Sequence, residues 1–163
     1  MNAPDVERRI LELRARELAR PPRRDRSRTD SDVVIFSLAR ASYAIELNCL
    51  RHVFALRELA LLPGAEAPLI GVTAWRGDLI PVLDLAGILG LPEGGPTDRG
   101  HVLVLGVGDR SFALLADAIL DVITISDSLA PAAGHRFLRG VTADAVAVLD
   151  GRQLIRTFSG EDL

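Results

Sequence analysis

Three histidines and one cysteine are the residues of this chain with the clearest chemical potential, and their spacing argues against catalysis. His52, His101 and His135 lie far apart in the sequence, so none has the spacing of a zinc site. Cys49 stands three residues before His52. On an extended strand this spacing turns the two side chains to opposite faces, which disfavours a nucleophile and base pair. We expect Cys49 to be buried and unreactive, and we expect no metal site and no cofactor.

Four aspartates that follow apolar stretches form the second set: Asp84, Asp117, Asp121 and Asp150. A pair of aspartates on a β-barrel is the arrangement of acid proteases. That chemistry needs an Asp-Thr/Ser-Gly turn in each half, and neither Asp84 nor Asp150 is followed by one. We interpret these aspartates as strand-end caps. An enzyme with an unrecognised carboxylate site stays open as an alternative.

Composition indicates a soluble globular chain of one domain, or of two very small domains sharing a core, since 48% of its 163 residues are hydrophobic. The net charge of −3 argues against nonspecific nucleic-acid binding. No apolar run approaches the roughly 20 residues that cross a bilayer. The charged start of the chain predicts no secretory signal, and a single cysteine fits a cytoplasmic protein.

The first element that could position a site is a helix from Pro4 to Arg20. Val6, Ile10 and Leu13 form an apolar stripe at helical spacing, and Pro21 and the proline after it end the pattern. A stripe this short is marginal as a free helix. The helix must therefore dock on its own body or on a partner, and both alternatives remain open.

A charged linker follows, because residues 23–32 contain no apolar side chain. We predict a solvated tether, so that residues 1–32 form an N-terminal helix and charged linker. A second reading uses the arginines of residues 8–28 to bind nucleic acid or another anionic partner.

Beyond Asp32 the chain consists of short β-rich runs that repeat. Ser42–Ile45 matches Ser111–Leu114 at an offset of 69 residues, and Gly71–Ala74 matches Gly140–Ala143 at the same offset. Several matches at one offset predict a duplicated β unit of roughly 65 to 70 residues. Two such units would give two small sheets that share an apolar seam.

The stretch from Leu69 to Leu91 contains the turn Arg76-Gly77 between two apolar strands. Gly77 can adopt positive φ without a Cβ penalty. From its residue type alone, Arg76 is either a solvated turn arginine or a guanidinium that pairs with a carboxylate or a partner's backbone.

Five runs resemble the CheW-like domain of bacterial chemosensory systems: FSLARASYAIELNCLRHV, LPG at Leu62 to Gly64, IGVTAWRGDLIPVLDL, HVLVLGVGDRSFALLADAILDVI and FLRGVTADAVAVLD. The resemblance covers about residues 33–158. It implies a mainly β fold of two SH3-like five-stranded β-barrel subdomains sharing a hydrophobic core, in addition to the N-terminal helix. We place the first barrel at roughly 33–90 and the second at roughly 100–158.

The resemblance also implies a non-enzymatic adaptor of signal transduction and chemotaxis. It would couple the regulatory domain of a CheA-type histidine kinase to the cytoplasmic tip of chemoreceptors, at arrays in the cytoplasm, without nucleic acid or membrane insertion. The implied receptor-binding groove draws on Leu50, Val53, Gly71, Val72, Arg76 and Gly77. The implied kinase-binding surface draws on Tyr43, Ile45 and Leu47.

Two features depart from the family pattern. His52 stands where the family commonly has Glu, so the acidic neighbour expected for Arg76 is missing and Arg76 needs another partner. The segment before Asp32 is longer than the tail of the simplest members. It could be a second docking element for an additional partner.

Overall fold

A computed structural model of the protein describes residues 2–19, 30–92, 99–132 and 134–160. The predicted N-terminal helix is present as α1, Ala3–Ala19. Most of the predicted linker lies outside the described residues, and the first strand already begins at Asp30. Within the described ranges, no helix has the length and apolar character needed to cross a membrane.

Eleven strands and two short helices follow α1 in the described part of the chain. The strands are β1 Asp30–Leu38, β2 Ala41–Glu46, β3 Leu50–Ala55, β4 Ala60–Leu61, β5 Leu69–Trp75, β6 Asp78–Leu83, β7 His101–Val107, β8 Arg110–Ala116, β9 Ala118–Ser126, β10 Leu138–Val141 and β11 Ala147–Leu149. The helices are α2 Leu85–Ile88 and α3 Gly151–Phe158, and a 3₁₀ turn at Leu47–Cys49 joins β2 to β3. The protein is therefore mainly β, as predicted.

The strands form two sheets, and each sheet takes strands from both halves of the chain. Sheet A has the order β10-β11-β2-β1-β9, and sheet B has the order β3-β7-β8-β6-β5-β4. The predicted division into a first barrel at 33–90 and a second at 100–158 is therefore wrong. The hairpin β1–β2 joins the later strands, since β1 pairs antiparallel with β9 along most of its length. The hairpin β7–β8 joins the earlier strands in the same way.

The predicted duplication is visible in this exchange of hairpins. Strands at the 69-residue offset occupy equivalent places in the two sheets, apart from β4, which makes sheet B six-stranded rather than five-stranded. Val148 pairs in parallel with Ala44 in sheet A, and Val82 pairs in parallel with Ala113 in sheet B. Parallel neighbours need a long connection, which the intervening strands supply.

One hydrophobic core lies between the sheets, as expected for subdomains that share a core. A single buried cluster contains Ile45 of sheet A, Leu103 of sheet B, Leu154 of α3 and Val6 of α1. All four side chains are fully buried. Burial of this kind is the main favourable contribution to folding, and it joins both sheets and two helices into one unit.

The hairpin β5–β6 positions the arginine singled out by the sequence. Trp75 pairs with Asp78, so the connection is the two-residue turn Arg76-Gly77. The two turn residues have φ angles of 49° and 90°, and positive φ at both positions matches the right-handed twist of the flanking strands. Arg76 consequently projects from the end of the hairpin.

Candidate functional site

A groove lies between β3 at one edge of sheet B and β9 at one edge of sheet A. We call it the inter-sheet groove. The side chains of these strands that are buried in the shared core are Leu50 and Val53 on β3, and Ile119 and Val122 on β9. They are equivalent pairs in the duplication, and all four belong to the same cluster. Edge strands are common sites of partner binding, so the groove is a candidate binding site.

Helix α1 fills this groove, packing against both β3 and β9. Ala3, Val6 and Ile10 lie on one face of the helix and are buried. Arg14, one turn further on, donates hydrogen bonds to the carbonyl oxygen of Leu47, at 3.3 Å, and to that of Leu50. Of the two alternatives for this helix, the structure shows docking on its own body.

An aromatic platform lies beside the groove. The ring of Trp75 stacks on Phe54, with centroids 4.3 Å apart and planes 8° from parallel. The Cζ of Arg76 lies 5.0 Å from the Trp75 ring centroid, and the His52 ring lies 5.6 Å away. The indole N–H of Trp75 is buried and has no hydrogen-bond partner among the described residues. Arg76 is thus held by a cation–π contact.

Charged residues line two cavities beside α1. One of about 190 Å³ is lined by residues that include Leu50, His52 and Arg76. A second, of about 490 Å³, is lined by residues that include Trp75 and Arg76. Glu7 of α1 lines both, and it is the sole carboxylate among the lining residues that the structure describes. Arg76 forms no ion pair within 4 Å in these ranges. The carboxylate that lines these cavities with Arg76, and one of them with His52, is therefore on α1.

Two titratable residues next to the groove, His52 and Cys49, have pKa values shifted in the direction that favours their neutral forms. Burial lowers the pKa of His52, and the positive charge of Arg76 lowers it further. Burial raises the pKa of Cys49 to about 11, an effect that Arg152 opposes and Asp150 reinforces. A protonated thiol is a weak nucleophile, so the structure agrees with the expected inertness of Cys49.

The predicted receptor-binding residues fall into two places. Leu50, Val53 and Arg76 lie together at the inter-sheet groove. Gly71 and Val72 instead pair with β4 at the far edge of sheet B, and a Cβ on Gly71 would collide with the carbonyl oxygen of Ala60.

Gly71 and Val72 therefore do not line the groove. Gly77 is exposed beside Arg76, with no atom near its Cβ position.

The predicted kinase-binding residues are in the core. Tyr43, Ile45 and Leu47 are 6%, 0% and 4% exposed, and the Tyr43 ring stacks on Phe36 at 6.0 Å. Burial raises the pKa of Tyr43 as well. The prediction that these side chains form a surface is wrong. Alternating apolar residues identify a strand, but they do not show which face of the strand is buried.

The four aspartates do not form one site. Asp150 caps α3 by accepting a hydrogen bond from the Gln153 amide at 2.9 Å, and Asp84 holds the equivalent N-cap position of α2 without a side-chain bond. Asp117 accepts from the Ala39 amide at 2.9 Å. In the part of the chain that the structure describes, no three His, Cys, Asp or Glu side chains are grouped to hold a metal ion.

Three groove residues were missed from the sequence: Glu7, Arg14 and Trp75. The tryptophan stands directly before the Arg76-Gly77 turn, and this position on a hairpin was the available signal. The two residues of α1 carried no such signal, because their contacts depend on where the helix docks.

Two interleaved β sheets with a helix held in the groove between them define a small SH3-like double β module. The chain belongs to the CheW-like domain family, whose model matches residues 32–159.

Individual relatives agree with this assignment. The probable chemotaxis protein CheW of Rhizobium etli is 27% identical over 100 residues, which are 61% of this chain and 64% of that protein. This match thus spans less than two thirds of the relative. The chemotaxis protein CheW of Rhizobium meliloti is 27% identical over 130 residues, 76% of this chain and 81% of that protein.

A solved structure shares the fold. It is the scaffolding protein TtCheW from Thermoanaerobacter tengcongensis, with a TM-score of 0.60 and 24% identity. The likeness covers 73% of this chain and 88% of that one.

Proposed function

We propose that this chain is a non-enzymatic adaptor that couples chemoreceptors to a CheA-type histidine kinase in a cytoplasmic chemosensory array. The observation that carries the proposal is the family match over residues 32–159. The relatives are named chemotaxis proteins, and the structural neighbour is named a scaffolding protein. The inter-sheet groove and an exposed apolar face supply two separate surfaces, which a coupling protein requires.

The receptor tip binds at the inter-sheet groove, through Leu50, Val53 and Arg76. A receptor tip is a helical hairpin, and an apolar groove between sheet edges suits the apolar face of a helix. The occupation of this groove by α1 supports the proposal, because it demonstrates that the groove accommodates a helix. Arg76 at the rim would pair with a carboxylate of the receptor.

The kinase regulatory domain binds at the outward face of β4, β5 and β6. Cross-strand pairs on this face join Ala74 to Leu79 and Val72 to Pro81, and Leu79 is 73% exposed. A contiguous exposed apolar face marks an interaction surface. This assignment replaces Tyr43, Ile45 and Leu47, whose burial removes them from any surface.

Titration of the full chain with a soluble chemoreceptor tip and with a kinase regulatory domain tests the proposal. Micromolar-range binding to both is expected, because modest interfaces gain avidity within an array. Binding to neither would refute the adaptor function.

Two pairs of matched variants separate the surfaces. Arg76→Asn keeps a residue that tolerates positive φ but removes the charge, and should weaken receptor binding about tenfold. Arg40→Asn is its control, since Arg40 occupies a hairpin turn with φ of 68°. Leu79→Glu should abolish kinase binding, whereas Val107→Glu, at a residue 57% exposed on β7, should leave it unchanged.

A further inference from the structure

The inter-sheet groove is already occupied by a segment of the same chain. Val6 and Ile10 of α1 are 0% and 5% exposed, and they share a buried cluster with Leu50 and Val53 of β3. The proposed function assigns receptor binding to these two β3 residues. A receptor helix cannot contact them while α1 is in place, since protein interiors are close-packed.

The docking of α1 suits its replacement in the groove by another helix. Among the side chains of this 17-residue helix that the structure describes, Val6 and Ile10 are the large apolar ones that are buried, and Leu13 packs partly buried against the same cluster. An isolated helix of this length is marginal in water, so its docking must offset the entropy lost on ordering it. We expect the docked and released states of α1 to differ little in free energy.

The charges around the groove indicate which kind of helix it can bind. Arg51 and Arg76 line the cavities beside α1, and Glu7 provides the carboxylate. Glu7 lies between Val6 and Ile10 in the sequence, next to the buried face of the helix. A competing helix would therefore combine two apolar residues four positions apart with an acidic residue beside them.

We propose that α1 is an intrachain competitor for the inter-sheet groove, and that an acidic amphipathic helix of the receptor tip displaces it. The identity of the displacing helix rests on the proposed function. The docking of α1 in the groove is supported by the packing of Val6, Ile10 and Arg14.

The full-length Ile10→Asp variant tests the docking of α1 without a receptor. A carboxylate at this buried position should release α1 from the groove. Leu11→Asp is the matched control, because Leu11 is 59% exposed on the same helix. Trp75 is the single tryptophan of the chain and lines a cavity with Ala3 and Pro4, so its fluorescence reports whether the groove is filled.

A synthetic peptide of residues 2–19 is then added to each protein. It should bind the Ile10→Asp chain saturably and restore the wild-type emission of Trp75. It should leave the wild-type protein and the Leu11→Asp protein unchanged, because their grooves are filled. Absence of peptide binding to a folded Ile10→Asp chain overturns the proposal, and Val6→Asp repeats the test at the other buried position.

A soluble receptor-tip fragment tests the competition. It should bind the Ile10→Asp chain at least tenfold more tightly than the wild-type or Leu11→Asp chains. Equal affinities for all three overturn the competitor role and leave the adaptor function standing. If the peptide binds as expected but the receptor fragment binds none of the three chains, the receptor is not the displacing partner and the proposed function is overturned. The docking of α1 in the groove would still stand.

The unmodified protein provides a further measurement that does not depend on any variant. Arg8 and Arg9 are already exposed on the docked helix, but release of α1 lets the helix unfold around them, so the receptor fragment should accelerate tryptic cleavage there. Unchanged protection of α1 with the receptor fragment bound overturns the proposal.

Discussion

A Cβ atom added to Gly151 would lie 2.7 Å from the Sγ of Cys49 and 2.8 Å from its Cβ. This close approach packs the first residue of α3 against the turn that leads into β3, the groove strand of sheet B. Gly151→Ala should lower the free energy of unfolding by about 1–3 kcal/mol, because the turn or the helix has to shift. Urea denaturation measures the loss.

Gly100→Ala is the control for this substitution. A Cβ at Gly100 would meet the carbonyl oxygen of Asp117 at an ordinary 3.6 Å. Equal loss of stability in the two variants would show that the approach of Gly151 to Cys49 is not the cause.

Cys49 should resist alkylation in the folded protein. Burial raises its pKa from 9.0 to about 11, so the thiolate fraction falls about a hundredfold at a given pH below 9. Iodoacetamide labelling at about pH 8, followed by mass spectrometry, should be at least a hundredfold slower in the native chain than in urea. Since Cys49 is the single cysteine, the signal is unambiguous. Comparable rates in both states would contradict its burial.

The stability of the protein should fall in mild acid because of His52. Its pKa is lowered in the folded state, by burial first and by Arg76 next, from an ordinary value of 6.5. The unfolded chain therefore binds more protons than the folded chain as the pH drops through 6.5, and the free energy of unfolding decreases. His52→Gln should flatten this dependence between about pH 7 and about pH 5, as followed by denaturation at each pH.

Nuclear magnetic resonance titration separates the two causes. Arg76→Asn should raise the pKa of His52 toward its ordinary value, whereas Arg156→Asn at the last turn of α3 should not. A pH profile that is as steep in His52→Gln as in the wild type would rule out His52 as its origin.

Arg139 should stabilise sheet A through two carboxylates. It pairs with Glu46 at the end of β2 and, at 3.0 Å, with Asp127 after β9. Arg139→Ala should cost about 1 kcal/mol, because the group is partly exposed and each charge is partly screened. The loss should shrink in about 1 M salt. Thermal denaturation at low and high salt measures it.

Arg8→Ala provides the comparison for a surface ion pair. Arg8 lies 3.3 Å from Asp5, and the two side chains are 73% and 50% exposed. Its removal should leave the unfolding transition unchanged. An equally large effect at Arg8 would mean that partial burial of the Arg139 network contributes nothing.

Local patterns were sufficient for several of the elements. The stripe of Val6, Ile10 and Leu13 predicted the helix that the structure places at Ala3–Ala19. The 69-residue offset predicted a duplication, and Gly77 was recognised as a residue with positive φ. These features depend on residue type and spacing over a few positions, which is the range that sequence patterns describe.

The positions of the candidate site residues were predicted in part. Leu50, Val53 and Arg76 do meet at one groove, whereas Gly71 lies under β4 at the other edge of sheet B. The prediction for Tyr43 failed because an alternating strand does not state which of its faces meets a second sheet.

The amino-acid sequence alone determined the mainly β character, the N-terminal helix, the repeat and the family. Tertiary structure alone decided that β1 and β2 complete the sheet of the second repeat, and that α1 fills the groove between β3 and β9. The physical reason is that pairing between distant strands and docking of a marginal helix are settled by burial in the common core. Residues from every part of the chain contribute to that core, and no local pattern contains it.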